Sequence, residues 1–132
     1  MIKEGYGRII NIISTSVKAP LDNLGVSNTT RGAVASWSKT MANELGPHGV
    51  TVNNVLPGFT DTQRLKELFE KMAKDQGLTY EEKTEAITKS VPLRRFAEAK
   101  EIGAAVAWLA SPSASYVNGI NLPVDGGRTR SL

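Results

Sequence analysis

Ser14 closes an apolar run, Arg8-Ile9-Ile10-Asn11-Ile12-Ile13, and thirteen residues later the polar group Ser27-Asn28-Thr29-Thr30-Arg31 opens a helical pattern. A hydroxyl at a strand's end and polar groups at the start of the following helix face one cleft, where α/β sheets carry their chemistry. Ser14 can hydrogen-bond a substrate oxygen there. Ser27 is a poor proton donor, because an aliphatic hydroxyl is a far weaker acid than a phenol, whose pKa is about 10. Arg31 keeps a fixed positive charge. Other chemistries lack their residues. With no cysteine there are no disulfides or thiolate sites. The single histidine, His48, makes a His-based metal site or a Ser-His-Asp triad hard to build. It lies in the turn Gly46-Pro47-His48-Gly49, where an exposed or capping role is expected.

Alternating strand and helix patterns must hold this cleft. Residues 8–13 are apolar on both faces except Asn11, which predicts an interior parallel strand with a neighbour on each edge. Residues 17–26 carry Pro20, Asp22, Asn23 and Gly25 and read as a loop. A helix is expected from Asn28 or Thr29 to Leu45, with Val34, Trp37, Met41 and Leu45 as its apolar stripe. Ala33, Ala35, Ser38 and Ala42 form a second surface of small residues, which could admit another helix closely or pack on the sheet. Val50 to Leu56 is a second strand, ended by Pro57-Gly58.

Thr60-Asp61-Thr62 then starts a helix that Gly77 breaks, and Thr79 with Glu82 forms a capping box for a short helix to about Lys89. These charged, thinly apolar helices, about residues 60–90, should bury little and form either a mobile lid over the site or a plain surface excursion. Residues 92–96 should be extended, Glu98 to Ala110 helical, and Ile120 to Gly127 a last short strand and turn. The outcome is one α/β unit over 1–132 with about three parallel strands, few for an independent sheet.

Composition narrows the partners. A hydrophobic content of 40% and a charged content of 22% suit a globular domain. A net charge of +3, with basic residues scattered among acids, argues against nucleic acid. No apolar run is long enough to span a membrane, and no signal peptide opens the chain, so a cytoplasmic location is expected. Only a few residues of a helix precede the first strand, as though the chain began in mid-fold.

Four segments in order carry a resemblance: Gly7 to Ser14, Asn53-Asn54-Val55-Leu56-Pro57-Gly58, Ala107 to Ser111, and Val124-Asp125-Gly126-Gly127. Together they resemble the C-terminal half of a short-chain dehydrogenase/reductase, closest to the 3-oxoacyl-(acyl-carrier-protein) reductase-like branch. The resemblance implies a doubly wound Rossmann-type parallel sheet binding NAD or NADP, of which this chain carries family strands 5 to 7. The Gly-rich turn that holds the cofactor pyrophosphate, and the family's catalytic asparagine, have no counterpart here.

The family's working residues are a serine, a tyrosine thirteen positions on, and a lysine four further. Ser14 matches the serine, while Ser27 and Arg31 stand in the tyrosine and lysine positions. By the same resemblance Pro57, Gly58, Thr60 and Thr62 form the turn beside the nicotinamide, with Arg31 able to reach a ribose hydroxyl or a phosphate. Ser16 could replace Ser14 if the register slips, and Tyr80 is a candidate replacement acid.

The implied activity is hydride transfer between a nicotinamide cofactor and a small carbonyl or alcohol, in a divergent enzyme inactive as this chain alone. A non-catalytic relative serving binding or assembly is the alternative. A homo-oligomer is expected, through helix 29–45 or an exposed strand edge at 8–14.

Overall fold

A computed structural model describes residues 1–131. β1 (Gly7–Ile12), β2 (Val50–Pro57) and β3 (Asn121–Val124) form one sheet in the order β1-β2-β3. Both pairings are parallel, with Gly7 opposite Val50 and Asn54 opposite Asn121. The helices are α1 (Gly25–Leu45), α2 (Gln63–Gln76), α3 (Tyr80–Lys89) and α4 (Ala99–Ala110).

β2 is the centre of the molecule, buried from Val50 to Leu56. Its run of Val and Leu broken by asparagines suits a strand covered on both faces. Neighbouring residues on a strand point to opposite faces, and Asn54 and Val55 identify the two layers. Asn54 Oδ1 accepts the Ser38 hydroxyl of α1 at 2.8 Å. Val55 packs with Leu109 of α4 and with Ala114, a buried cluster flanked by Ile10, Ile102, Val106 and Leu122. α1 therefore covers one face and α4 the other.

On the α1 face a polar ladder crosses all three strands. Asn11 Nδ2 donates to Asn54 Oδ1 at 3.1 Å and to Ser38 Oγ at 2.9 Å, and Asn54 Nδ2 donates to Asn121 Oδ1 at 2.8 Å. The three asparagines are register partners. A one-residue slip would bury every one of them unpaired on the other face.

Several expectations are corrected. The neighbour that its apolar pattern called for on each side of β1 is present on one side: among the described residues β1 pairs with β2 alone and Ile12 is 49% exposed, which gives the open strand edge expected at 8–14. The small-residue surface of α1 is divided. Ser38 and Ala42 are buried against the sheet while Ala33 is exposed, so these four do not form one free face. Trp37, from the supposed inward stripe, is 47% exposed.

α1 also starts earlier, at Gly25, without a side-chain cap. The Asn28 amide ties back to the Leu21 carbonyl at 2.8 Å, and the Thr29 and Thr30 hydroxyls bond to the carbonyls of Gly25 and Val26. The threonines satisfy carbonyls inside the helix and Asn28 one in the preceding loop, so none of them begins it. Residues 91–95 form turns, with Arg94 at φ 56° and its N–H on the Val91 carbonyl. Val91 is buried among them, which bends the segment inward.

Both α2 and α3 begin as their sequences dictate. Thr62 accepts the Leu65 N–H, and Thr79 with Glu82 makes both bonds of the capping box. α2 is anchored more firmly than its charge suggests, because Phe69 and Ala73 are buried. Phe69 sits in an edge-to-face trio with Phe59 and Phe96, their ring centroids 5.7–6.1 Å apart.

Candidate functional site

The C-terminal ends of the three parallel strands bring the chemistry-bearing residues to one rim. Immediately after β1 and Ile13 comes Ser14, which caps a single 3₁₀ turn, Thr15–Val17. Its Oγ accepts the Ser16 N–H at 3.1 Å. That bond uses a lone pair and leaves the Ser14 proton to donate elsewhere. Thr15 and Ser16 are buried, and Ser16 Oγ has no partner.

α1 returns over the same strand end. Arg31 Nη1 donates to the Ile13 carbonyl at 2.8 Å and to the Ile12 carbonyl at 3.3 Å. Ser27 lies one helical turn earlier, on the same face as Arg31. Both line an open cleft of about 540 Å³ beside Ile10 to Ile13. Arg31 thus reaches the strand end next to Ser14. Part of its guanidinium is spent on backbone carbonyls, leaving other donors of the fork free.

The turn after β2 forms the opposite bank. Pro57 ends β2, and the Gly58 N–H donates to the Val124 carbonyl of β3 at 3.0 Å. A Cβ at Gly58 would stand 2.7 Å from Asp125 Cα, so only glycine lets the two strand ends close. Thr60 bridges to Ala97, and Thr62 is spent as the N-cap of α2, its exposed hydroxyl keeping a proton to donate. Ser14 and Arg31 are gathered at the end of β1, and Pro57, Gly58, Thr60 and Thr62 at the end of β2. Tyr80 belongs to α3, in the lid, and the exposed Tyr6 hydroxyl donates to the Ala110 carbonyl.

Sequence reasoning missed a third contribution, from the tail after β3. Asp125 accepts the N–H groups of Gly127 (3.0 Å) and Thr129 (2.8 Å) and folds the tail back over the sheet. Burial raises the Asp125 carboxyl, but these bonds outweigh it and hold its pKa below the ordinary value. Arg128 then lies over the Phe59 ring, 4.5 Å from its centroid, with Nη1 3.5 Å from Thr15 Oγ1. A cavity of about 700 Å³ opens here between the 21–24 loop, α2, α3 and Arg128. The only sequence signal was a basic residue after the Gly126-Gly127 turn.

Parallel strands with helices on both faces, and polar groups collected at the strands' C-terminal rim, define a Rossmann-type nucleotide-binding architecture. The profile of the enoyl-(acyl carrier protein) reductase family matches residues 1–129. The chain belongs to the short-chain dehydrogenase/reductase family. It is 40% identical over 130 residues to the short-chain reductase protein NovJ of Streptomyces niveus, covering 97% of this chain and 47% of that one. It is 39% identical over 129 residues to the 3-oxoacyl-[acyl-carrier-protein] reductase FabG of Vibrio cholerae, covering 96% and 48%.

Among solved structures, YwfH, an NADPH-dependent reductase involved in bacilysin biosynthesis, superposes with a TM-score of 0.92 at 34% identity, over 99% of this chain and 50% of its own. An actinorhodin polyketide ketoreductase with NADPH gives 0.93 at 31%, again over 99% and 50%. The chain spans about half the length of the relatives it matches. No helix among the described residues is long and apolar enough to cross a membrane.

Proposed function

We propose that this chain forms the substrate-facing and nicotinamide-facing half of an NAD(P)-dependent oxidoreductase for a small carbonyl or alcohol, and that it is inactive until a Gly-rich cofactor-binding half completes it. The observation that carries this reading is Ser14: it stands at the strand-end rim with its lone pair occupied by Ser16 N–H and its proton available. A bound nicotinamide cofactor would supply the hydride. The residues at the β2 end fit its amide end, since the Thr62 hydroxyl is exposed with a proton to give and Gly58 keeps the strand ends closed. The free donors of Arg31 suit a ribose hydroxyl or phosphate.

In reduction, the carbonyl carbon accepts the hydride and the carbonyl oxygen a proton, giving the alcohol and the oxidised cofactor. Ser14 would hold that oxygen. Ser27 is a weak acid for the proton, so transfer should be slow or routed through water. The protein would act as a homo-oligomer in the cytoplasm.

A second reading is favoured by Arg31, whose guanidinium is engaged by the Ile12 and Ile13 carbonyls. On that reading the chain is a non-catalytic relative that keeps the fold for assembly. The two separate in a fusion of this chain behind the Gly-rich half of a relative such as FabG. The oxidoreductase reading expects NADPH oxidation with a 3-oxoacyl substrate, lost in Ser14→Ala and raised in Ser27→Tyr/Arg31→Lys. NADPH binding without turnover in the parent fusion would establish the non-catalytic reading instead.

A further inference from the structure

The cavity between the 21–24 loop, α2 and α3 exposes a mostly apolar lining surface, from Leu21, Leu24, Leu68, Met72 and Ile87 among others, with polar and charged residues between them. At about 700 Å³ it is of the size that holds a small organic ligand. Its charges are unevenly placed. Asp22, Lys71 and Asp75 are exposed at the mouth, and the half-buried Lys83 is occupied by the Gln76 carbonyl oxygen at 2.9 Å. Arg128 is the half-buried cation without such a partner. Among the described residues it makes no ion pair, and its side-chain contacts are the Phe59 ring and a 3.5 Å approach to Thr15 Oγ1.

That arginine is held ready. The Asp125 carboxylate fastens the backbone on both sides of it, and the Phe59 face beneath it is fixed by Phe69 and Phe96. A guanidinium stacked on a ring keeps its edge donors free, and their planar fork matches a carboxylate. A partly desolvated cation without a counter-ion beside an apolar space is a site for an anion attached to an apolar body.

We propose that Arg128 is the specificity-determining residue of this cavity and that the cavity takes a carboxylate on an apolar chain, the carboxylate resting on the Arg128 fork beside Thr15, the residue that follows Ser14 in the chain. The inference rests on the oxidoreductase reading for the substrate role of the cavity, so the substrate class becomes a keto or hydroxy acid in place of a neutral ketone.

The test is direct binding to the 132-residue chain, measured by calorimetry with 4-oxooctanoate and with its neutral amide, 4-oxooctanamide. The acid should bind about tenfold or more tightly than the amide, the loss expected when a charged hydrogen-bond pair is removed. Arg128→Gln should erase that preference and Arg128→Lys restore part of it, with circular dichroism showing each variant folded. Equal binding of acid and amide, a preference that survives in Arg128→Gln, or no binding of either would overturn the proposal. The comparison of acid with amide on the unaltered chain needs no variant to fold. Acid binding through Arg128 without hydride transfer in the fusion would sink the oxidoreductase reading and leave the anion site standing. Turnover of a neutral ketone with no acid preference would do the reverse.

Discussion

Ser14, Ser27 and Arg31 stand where the sequence resemblance puts the family's working residues, and each has a different fate in the structure. Ser14 keeps a proton to give. Arg31 reaches the strand end, where the Ile12 and Ile13 carbonyls take part of its charge. Ser27 lines the open cleft beside β1. That Ser14 follows a strand and Ser27 and Arg31 fall in the next helix was legible from sequence, because apolar periodicity marks both elements. The Arg31 clamp was not, since it depends on where a long side chain finds carbonyls.

A residue-scale measurement concerns the Arg95–Glu101 pair, whose fork meets both carboxylate oxygens at 2.6 and 2.7 Å. The Arg95 bond, with help from the Glu98 N–H, lowers the Glu101 pKa from 4.5 to about 2. A carboxyl with a depressed folded pKa stabilises the fold above its unfolded value and loses that contribution as pH falls through the folded one. The pair's contribution should therefore be complete above about pH 4.5 and fade towards about pH 2. Arg95→Ala should return Glu101 to the ordinary carboxylate range in an NMR titration. An unchanged pKa in that variant would show that the Glu98 amide alone sets it.

Among the elements, β2 does the organising and its asparagines set the register. The sequence showed Asn11, Asn53 and Asn54 as interruptions of apolar runs and offered no partner for them. Packing supplied the partners: Asn54 joins Asn11, Ser38 and Asn121, while Asn53 takes the Val117 carbonyl and the Ile120 N–H. Asn54→Ala should cost about 2–3 kcal/mol, because it leaves Asn121 Oδ1 and part of Asn11 without partners in a buried layer. Urea unfolding measures this, with the exposed Asn43→Ala as a control expected to lie within about 0.5 kcal/mol of the parent. A loss no larger than the control's would mean that water replaces the ladder.

Helix caps were the most readable local feature. Thr79–Glu82 and the Gly77 stop follow from spacing alone, because a capping box and an αL glycine need only neighbours in the chain. The start of α1 was misread for the opposite reason. Asn28 looked like the first helical residue and lies inside the helix instead, its amide bound to Leu21, a partner chosen by how the loop folds.

At the scale of the molecule, β1 leaves one side of the sheet unpaired, with Ile12 exposed and Ile9 and Ile10 half-buried. Such an edge recruits another strand. The chain of 14.2 kDa should sediment as more than a monomer and bind an apolar-surface dye. Ile12→Lys, a charge on the open edge, should move it towards the monomer and reduce dye binding. A monomeric parent without dye binding would contradict this.

By itself the sequence determined the class of fold, the order of strands and helices, and the capped starts of α2 and α3. Those properties follow from periodicity, turn chemistry and spacing along one chain. Tertiary structure alone decided that Ser38 and Ala42 face the sheet, that Arg31 is tied to backbone carbonyls, and that Arg128 enters the cavity beside Phe59. Each depends on which surface or carbonyl meets a side chain from a distant part of the chain, and spacing carries no record of that meeting.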